Sequence, residues 1–523
     1  MKRVILSEKL NIRIDSIAYI IILTWCLLPV FCSMYCFGMA LKHSFPIELY
    51  LNGKNYSKHI SNYLKWFRAF GSITFLMGFS FMALNVKSIT PKKFTQNSLW
   101  FPFLLLLLGY SVISTFFSDD SFYALKGSGY KGDGLFSYFI YAGLVACAVA
   151  VNTEKYRRSI VRVFCAVLSY LSLLMVIKEL TGNAFLHYCF PVRQTVVFNN
   201  SNHMAYLMCM ACCLQAGLYL YDVKSAKWVR ILYAVNFSFL VYALLLNDTF
   251  GSYLAVVAVL PAIYYVYWKT REKITWIDCI PLLAFILLSL LNLLGLLPGC
   301  SGLLRNFSVL GKDISNILKK RPEAKRAGSS RAIIWMDTLK RIRERPLFGF
   351  GPEGLYGKNA IYGNFTPHNE YLQIACYLGI PALVLYLAAL ISLAKHHIKH
   401  LEELNPLVLV VSGGTLAYLI SAFFGNPVFN TAPYYWIFLG LTTATNENTV
   451  NLFPERYITF EPSNEQSKKR IRTYIISGVV VALCIVLFIP GILKRNVDSK
   501  AEMIAETNDL YFLKILRLMI EWR

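Results

Sequence analysis

The chain reads as all-α: a polytopic membrane helix bundle of about 12–13 transmembrane helices. Three observations predict this. Of 523 residues, 56% are apolar and only 15% are charged, with a mean hydropathy of +0.49; a soluble globular protein carries about 25% charged residues. The apolar residues come in runs near the ~20 needed to cross a ~30 Å hydrocarbon core as helix. The charges lie between those runs. A chain this long with so few charges cannot coat a water-facing surface. That excludes a soluble enzyme, a disordered protein and a nucleic-acid binder.

Residues 1–15 are basic (Lys2, Arg3, Lys9, Arg13) and precede an apolar run, 16–41. The run is too long for a cleaved signal and lacks a small-residue cleavage site, so it reads as a signal anchor. Further spans are expected at 69–85, 99–117, 134–151, 159–177, 202–221, 229–246, 250–268 and 277–297, which completes a first membrane block over 16–297. A long loop, 298–370, follows, then a second block over 371–445 with spans at 371–394, 406–424 and 428–445. The last of these is interrupted by Pro427 and Pro433, and a re-entrant path there would change the side of everything after it. A polar linker (446–473), a last span (474–493) and an amphipathic tail (494–523, with Leu510, Leu513, Leu516 and Ile520) complete the chain. The long loop thus precedes the third-last or fourth-last helix.

Loop charge sets the expected sidedness. Basic residues follow spans two, four, six, eight and ten (Lys87, Arg157, Lys224, Arg271, Lys395 and neighbours) and are sparse between them, so the positive-inside rule puts the amino terminus in the cytoplasm. Most of the net +23 is this bias together with attraction to anionic lipid headgroups. The 298–370 loop falls outside although it carries 13 basic against 6 acidic residues; long loops translocate whatever their charge. The 13 cysteines lie mostly within apolar runs, as Cys209, Cys212 and Cys213 do, and read as small buried hydrophobes. No CxxC pair or His/Cys cluster suggests a metal site, and no cofactor is expected. Ion-coupled transporters need ionisable groups near mid-span; here Glu179 and Asp248 sit at outer span ends.

Four polar constellations gather on the expected outer side. In Thr366-Pro-His-Asn-Glu370, Thr366 suits an N-cap and Pro367 the first helical position, which would place His368 in the first turn of the span. The positive helix end disfavours imidazolium and favours a nearby anion. Alone, such a His is an ordinary interfacial polar residue. Upstream, Ser330 can cap a helix starting at Arg331 and running past Trp335 to Arg345, before the Gly-rich Pro346–Glu353. Alone, that is a helix on the membrane and a turn. The third constellation runs from Pro191 through Arg193, Asn199, Asn200 and Asn202 to His203. A guanidinium fork there matches phosphate oxygens, although Asn caps are also common in plain loops. The fourth, Asn247 to Ser252, is explained by turn chemistry.

The ordered set resembles the O-antigen ligase and polysaccharide polymerase superfamily of bacterial polytopic membrane glycosyltransferases. The resemblance is carried by Arg193 with Phe198–His203, Asn247–Gly251, Arg331–Trp335, Pro346–Pro352, His368-Asn369 with Leu372-Gln373, and Phe429–Trp436, and covers roughly 100–445. It implies a polyprenyl-diphosphate-linked (undecaprenyl-diphosphate type) glycan donor, a glycan or lipid acceptor, and surrounding membrane lipids as partners. It also implies a multi-pass protein of the bacterial cytoplasmic membrane, with the active site facing outside. His368 is the expected catalytic base; Arg193, Arg331, Asn202 and Asn369 are expected to bind the diphosphate or glycan. The competing reading is a lipid-linked oligosaccharide flippase or other transporter, which would be expected to concentrate charge inside the bundle cavity.

Overall fold

The computed structural model describes residues 10–42, 54–85, 99–128, 131–198, 200–222, 226–270, 274–355, 366–426, 428–443 and 457–460. Among the described residues, the apolar runs become helices. They are α1 (Ile14–Lys42), α2 (Lys54–Leu84), α3 (Trp100–Phe116), α4 (Ser121–Lys126), α5 (Leu135–Ala150), α6 (Glu154–Thr181), α7 (Ala184–Cys189), α8 (Ser201–Tyr221), α9 (Lys227–Asn247), α10 (Phe250–Thr270), α11 (Ile280–Leu293), α12 (Leu303–Leu318), α13 (Arg331–Glu344), α14 (Glu370–Leu378), α15 (Ile380–Lys399), α16 (Pro406–Ala422) and α17 (Ala432–Leu441). Among the described residues, eight helical segments are long and apolar enough to cross a membrane, and α3, α5 and α16 are shorter apolar helices. The protein is an all-α polytopic membrane bundle, with one short strand pair, β1 (Leu10–Arg13) antiparallel to β2 (Tyr457–Phe460). The linker (apart from β2), the last span at 474–493 and the tail lie outside the described residues.

Two helices organise the packing. Helix α8 is 94% buried along its apolar window and is surrounded by α6, α9, α10 and α16. Helix α5 is surrounded by α1, α2, α3, α4 and α17. Small residues let membrane helices approach closely where no hydrophobic force separates lipid from protein. Between α2 and α5 this is literal: a Cβ on Gly143 would lie 2.6 Å from the Phe75 Cα. Of the cysteines, all those in α1, α5, α6 and α8 are buried and free.

The expected single span at 371–394 is broken. Gly379 has φ +97°, and Pro381, which lacks an N–H, lies in the first turn of α15. The Tyr386 hydroxyl nevertheless donates to Glu370 Oε1 at 3.1 Å. Sixteen residues of straight helix would separate them by about 24 Å, so α14 folds back toward α15. The backbone groups freed at the break are satisfied by the Gly-rich turn: Phe350 N donates to Cys376 O (3.1 Å), Gly351 N to Tyr377 O (2.8 Å), and Ile380 N donates to Pro346 O (2.8 Å). Only glycine fits this contact, because a Cβ on Gly379 would stand 1.8 Å from Leu347 O. Apolar residues on both sides of the break concealed it in the sequence.

The proline-interrupted twelfth span does reach the opposite end of the bundle. Phe429 N donates to Lys131 O at 3.0 Å beside the site described below, and Leu441 O accepts from Arg157 Nη1 at 3.1 Å at the other end. Helix α17 itself has ten residues, about 15 Å.

Candidate active site

Helix α13 places Arg331 and Trp335 one turn apart and so on one face. The indole N–H of Trp335 donates to Pro367 O at 2.9 Å, and its ring meets Phe423 edge-on, centroids 5.5 Å apart. This ties α13 to the loop that carries His368. Helix α13 starts at Arg331, as the sequence indicates, but Ser330 is left-handed (φ +69°) and its side chain makes no cap. Ser329 is left-handed too (φ +58°). The two turn the chain so that the helix starts with Arg331 beside the pocket.

Thr366 does not cap the next helix. Asn369 does, its side chain accepting from Leu372 N at 2.9 Å, so α14 begins at Glu370. Asn is at least as good a cap as Thr, and the later start removes His368 from the helix. His368 instead occupies the left-handed region at φ +50°, where His is several-fold enriched among non-Gly residues. Such a conformation costs on the order of 1–3 kcal/mol and persists where its surroundings over-determine it. The ring is half-buried and hydrogen-bonds the Asn426 side chain. Burial, with the charges of Arg331 and Lys131 nearby, lowers its pKa to about 4. At neutral pH it is therefore an uncharged imidazole able to accept a proton. His203, in the first turn of α8, is buried within electrostatic reach of both His368 and Lys131.

Lys131 links His368 to a buried polar knot that motif reading missed. Glu353 is 1% exposed and ties Ser128 to Asp133. Its Oε2 accepts from Ser128 N (2.6 Å) and Asp133 N (3.0 Å), and its Oε1 from the Ser128 hydroxyl (2.7 Å). Asp133 accepts in turn from Tyr141 Oη (3.2 Å) and Gln373 Nε2 (3.1 Å). Burial, reinforced by the Glu353 charge, raises the Asp133 carboxyl well above the usual range. Burial also raises Glu353, opposed by its Ser128 bonds and Lys131. Burial lowers Lys131 to about 8, opposed by both carboxylates, so it stays largely cationic at neutral pH. The signal that could have found this knot is the glycine-rich Gly127–Gly134 with one Lys and one Asp among them, between two apolar runs.

The residues expected to bind substrate divide. Arg331 joins His368, and its guanidinium is little used: Nη1 reaches Gly328 O only at 3.5 Å, and Nε is buried without a partner. Asn369 is buried, with its side-chain acceptor committed to the α14 cap. Asn202 is half-buried at the start of α8, with its backbone N–H held by Asn200 at 2.9 Å. Arg193 is exposed, and among the described residues no hydrogen bond joins it to His368 or Arg331. Its loop is held from beneath: the fully buried Lys178 donates to Phe190 O (3.2 Å), Val192 O (2.6 Å) and Thr195 O (2.6 Å). Asn247 Nδ2 donates to Gln194 O (2.7 Å), while Asp248 pairs with Arg305 at 3.0 Å, which gives the Asn247–Ser252 turn a structural explanation.

A neutral imidazole, an arginine with unused donors and a buried lysine lie within electrostatic reach of one another, an arrangement that can hold an anion and accept a proton from a neighbouring group. Residues 235–387, which contain Arg331 and His368, match the protein family described as O-Antigen ligase. No curated protein matches the chain significantly.

Proposed function

We propose that this chain, a member of the O-antigen ligase and polysaccharide polymerase superfamily, transfers a polyprenyl-diphosphate-linked glycan to an acceptor hydroxyl on the outer face of the bacterial cytoplasmic membrane. The observation that carries this reading is the pairing of Arg331, with its unspent guanidinium donors, and a neutral His368 within its electrostatic reach. His368 takes the proton of the acceptor hydroxyl as that oxygen attacks the anomeric carbon. The bond from that carbon to the diphosphate oxygen breaks, and polyprenyl diphosphate leaves with the electron pair. Arg331 binds the diphosphate, where a planar fork fits better than a point charge, and Lys131 adds charge from the knot. Such preorganised donors stabilise the charge that develops on the leaving group.

The lipid tail has a fitting place. An apolar groove lined by Met82, Phe101, Leu104, Leu108, Tyr141 and Trp436 runs between α2, α3, α5 and α17. Tyr141 belongs both to this groove and, through Asp133, to the polar knot. The donor's apolar and charged ends thus have adjoining surfaces of matching character. Arg193, Asn202 and Asn369 complete the reading as residues around the glycan, Asn369 by fixing the start of α14 behind His368.

The test is a reconstituted reaction with purified lipid-linked donor, acceptor and detergent-solubilised protein, where no membrane side exists. Wild type should transfer the glycan. His368→Ala should bind donor and fail to transfer it. Undiminished transfer by the variant would remove His368 as the base, and no transfer by folded wild type would favour a transporter.

A further inference from the structure

Helix α12 is amphipathic in the opposite sense from a helix packed on a core. Its apolar residues Leu304, Phe307, Leu310, Ile314, Ile317 and Leu318 follow the i, i+3, i+4, i+7 spacing of one helical face, yet each is between 41% and 77% exposed. The protein grips the other face. Arg305 and Asn306 bind the two carboxylate oxygens of Asp248 at 3.0 and 2.9 Å, and Asp313 accepts from Gly328 N at 2.8 Å. The stripe meets the bundle at Phe307, whose ring lies edge-on to Phe250 with centroids 5.3 Å apart.

Two features identify what covers the stripe. The first is continuity with the lipid-facing surface. Helix α11, immediately before it, exposes Leu283, Ile286, Leu287 and Leu290, and Leu303 N, at the start of α12, donates to Asn292 Oδ1 near the end of α11 at 2.6 Å. Helix α12 therefore starts where a lipid-facing helix leaves the hydrocarbon. The second is charge: Lys312, Lys319, Lys320 and Arg321 are exposed on and just beyond α12, as suits phosphate headgroups. A helix with one apolar and one basic face lies in the interface plane, its apolar side about 5–10 Å into the headgroup–acyl boundary.

We infer that α12 lies flat in the leaflet on the side of the site, with its apolar stripe in lipid and its basic residues among anionic headgroups. The contact has a consequence for the pocket. Asp313 holds Gly328, whose carbonyl accepts from Arg331 N at 3.2 Å, so the leaflet sets the height of Arg331. That last step rests on the role proposed for Arg331; the position of α12 does not.

The test places an environment-sensitive nitrobenzoxadiazole label at Ile314→Cys, Leu318→Cys or Lys312→Cys in the full chain, with the half-buried Cys279 and Cys300 replaced by Ser. The protein is reconstituted in phosphatidylethanolamine–phosphatidylglycerol vesicles containing doxyl-labelled lipid. Labels at 314 and 318 should be blue-shifted and quenched severalfold more by doxyl lipid than the label at 312. Quenching no stronger than at 312 overturns the inference. So does a blue shift without lipid quenching, which would mean that protein, such as a second copy of the chain, covers the stripe. A second measurement addresses the coupling: Ile314→Glu with Leu318→Glu should lower transfer about tenfold in vesicles and little in detergent. Equal loss in both overturns the link to Arg331. Absence of transfer by wild type would bear on the proposed activity alone and leave the quenching result standing.

Discussion

Two arginines that look alike in the sequence sit in unlike surroundings. Arg331 borders a pocket held together by bonds that span the chain: Glu353 reaches Ser128 across 225 residues and Gln373 reaches Asp133 across 240. Arg193 stands on a loop held by its own neighbourhood, with Lys178 binding carbonyls 12 to 17 residues away. The first arrangement buries its polar groups and shifts their protonation. The second fixes a backbone and leaves its arginine in the open. A charge on a pinned exposed loop can meet a substrate; a charge in a buried knot can also tune a base.

The largest expected effect is on the buried side. His368→Ala should lower transfer by about 100- to 10,000-fold, the usual contribution of a general base, at matched protein level and with donor binding retained. His203→Ala should be milder. An equal loss at both positions would make the pair, rather than His368, the unit of function.

Next is the knot that Lys131 links to it. Glu353→Ala leaves three buried donors without their acceptor, and each unsatisfied group costs about 1–3 kcal/mol, so the thermal midpoint should fall by several degrees. Glu353→Gln keeps acceptor geometry for part of the set and should fall less. The difference from Lys178→Met, which frees three carbonyls of the Arg193 loop, would show which region the fold depends on more.

The direct comparison is Arg331→Lys against Arg193→Lys. Charge-assisted bonds contribute about 1.5–3 kcal/mol, and about 1.4 kcal/mol is tenfold, so Arg331→Lys should reduce transfer at least tenfold. Arg193→Lys should fall between it and Lys340→Ala. If Lys serves freely at 331, generic basicity is enough and the fork geometry is irrelevant.

The pH dependence sharpens this further. A base must be deprotonated to act, and His368 titrates near 4 in the free protein, so kcat/KM should hold as pH falls through 6.5 and decline only toward 4. Arg331→Ala removes a neighbouring cation and should move the acid limb upward. An unshifted limb would separate the two residues. The smallest change is Trp335→Phe, which removes one hydrogen bond to Pro367 O, about 0.5–1.5 kcal/mol, and should be visible chiefly as a modest loss of thermal stability.

What was legible in the sequence follows the same division. Apolar runs announce membrane helices because the bilayer fixes their length, and most of the helix at Ile380–Lys399 lay within the span expected at 371–394 for that reason. The break at Gly379 was hidden because the residues on either side are equally apolar; what breaks the helix is the turn at 346–351 supplying donors from outside. Arg331 and His368 were visible as local motifs with helix signals around them. Lys131, Asp133 and Asn426 were not, because their importance comes from partners far along the chain, more than 200 residues away for Lys131 and Asp133. The Thr366 cap failed because two adequate capping residues stood three apart and the helix starts from the second, Asn369.

The left-handed backbone of His368 also bears on how the protein would respond to selection. Ser329, Ser330, Glu353 and His368 all hold positive φ without being glycine, and all belong to the segments that build this pocket. A screen that rewards heat resistance alone should enrich Ser329→Gly and Ser330→Gly, since glycine adopts this conformation at no steric cost. Such variants gain stability by loosening the frame that aims Arg331, so they should be recovered as tougher proteins and poorer catalysts. Improvement by selection would then have to come from elsewhere in the bundle.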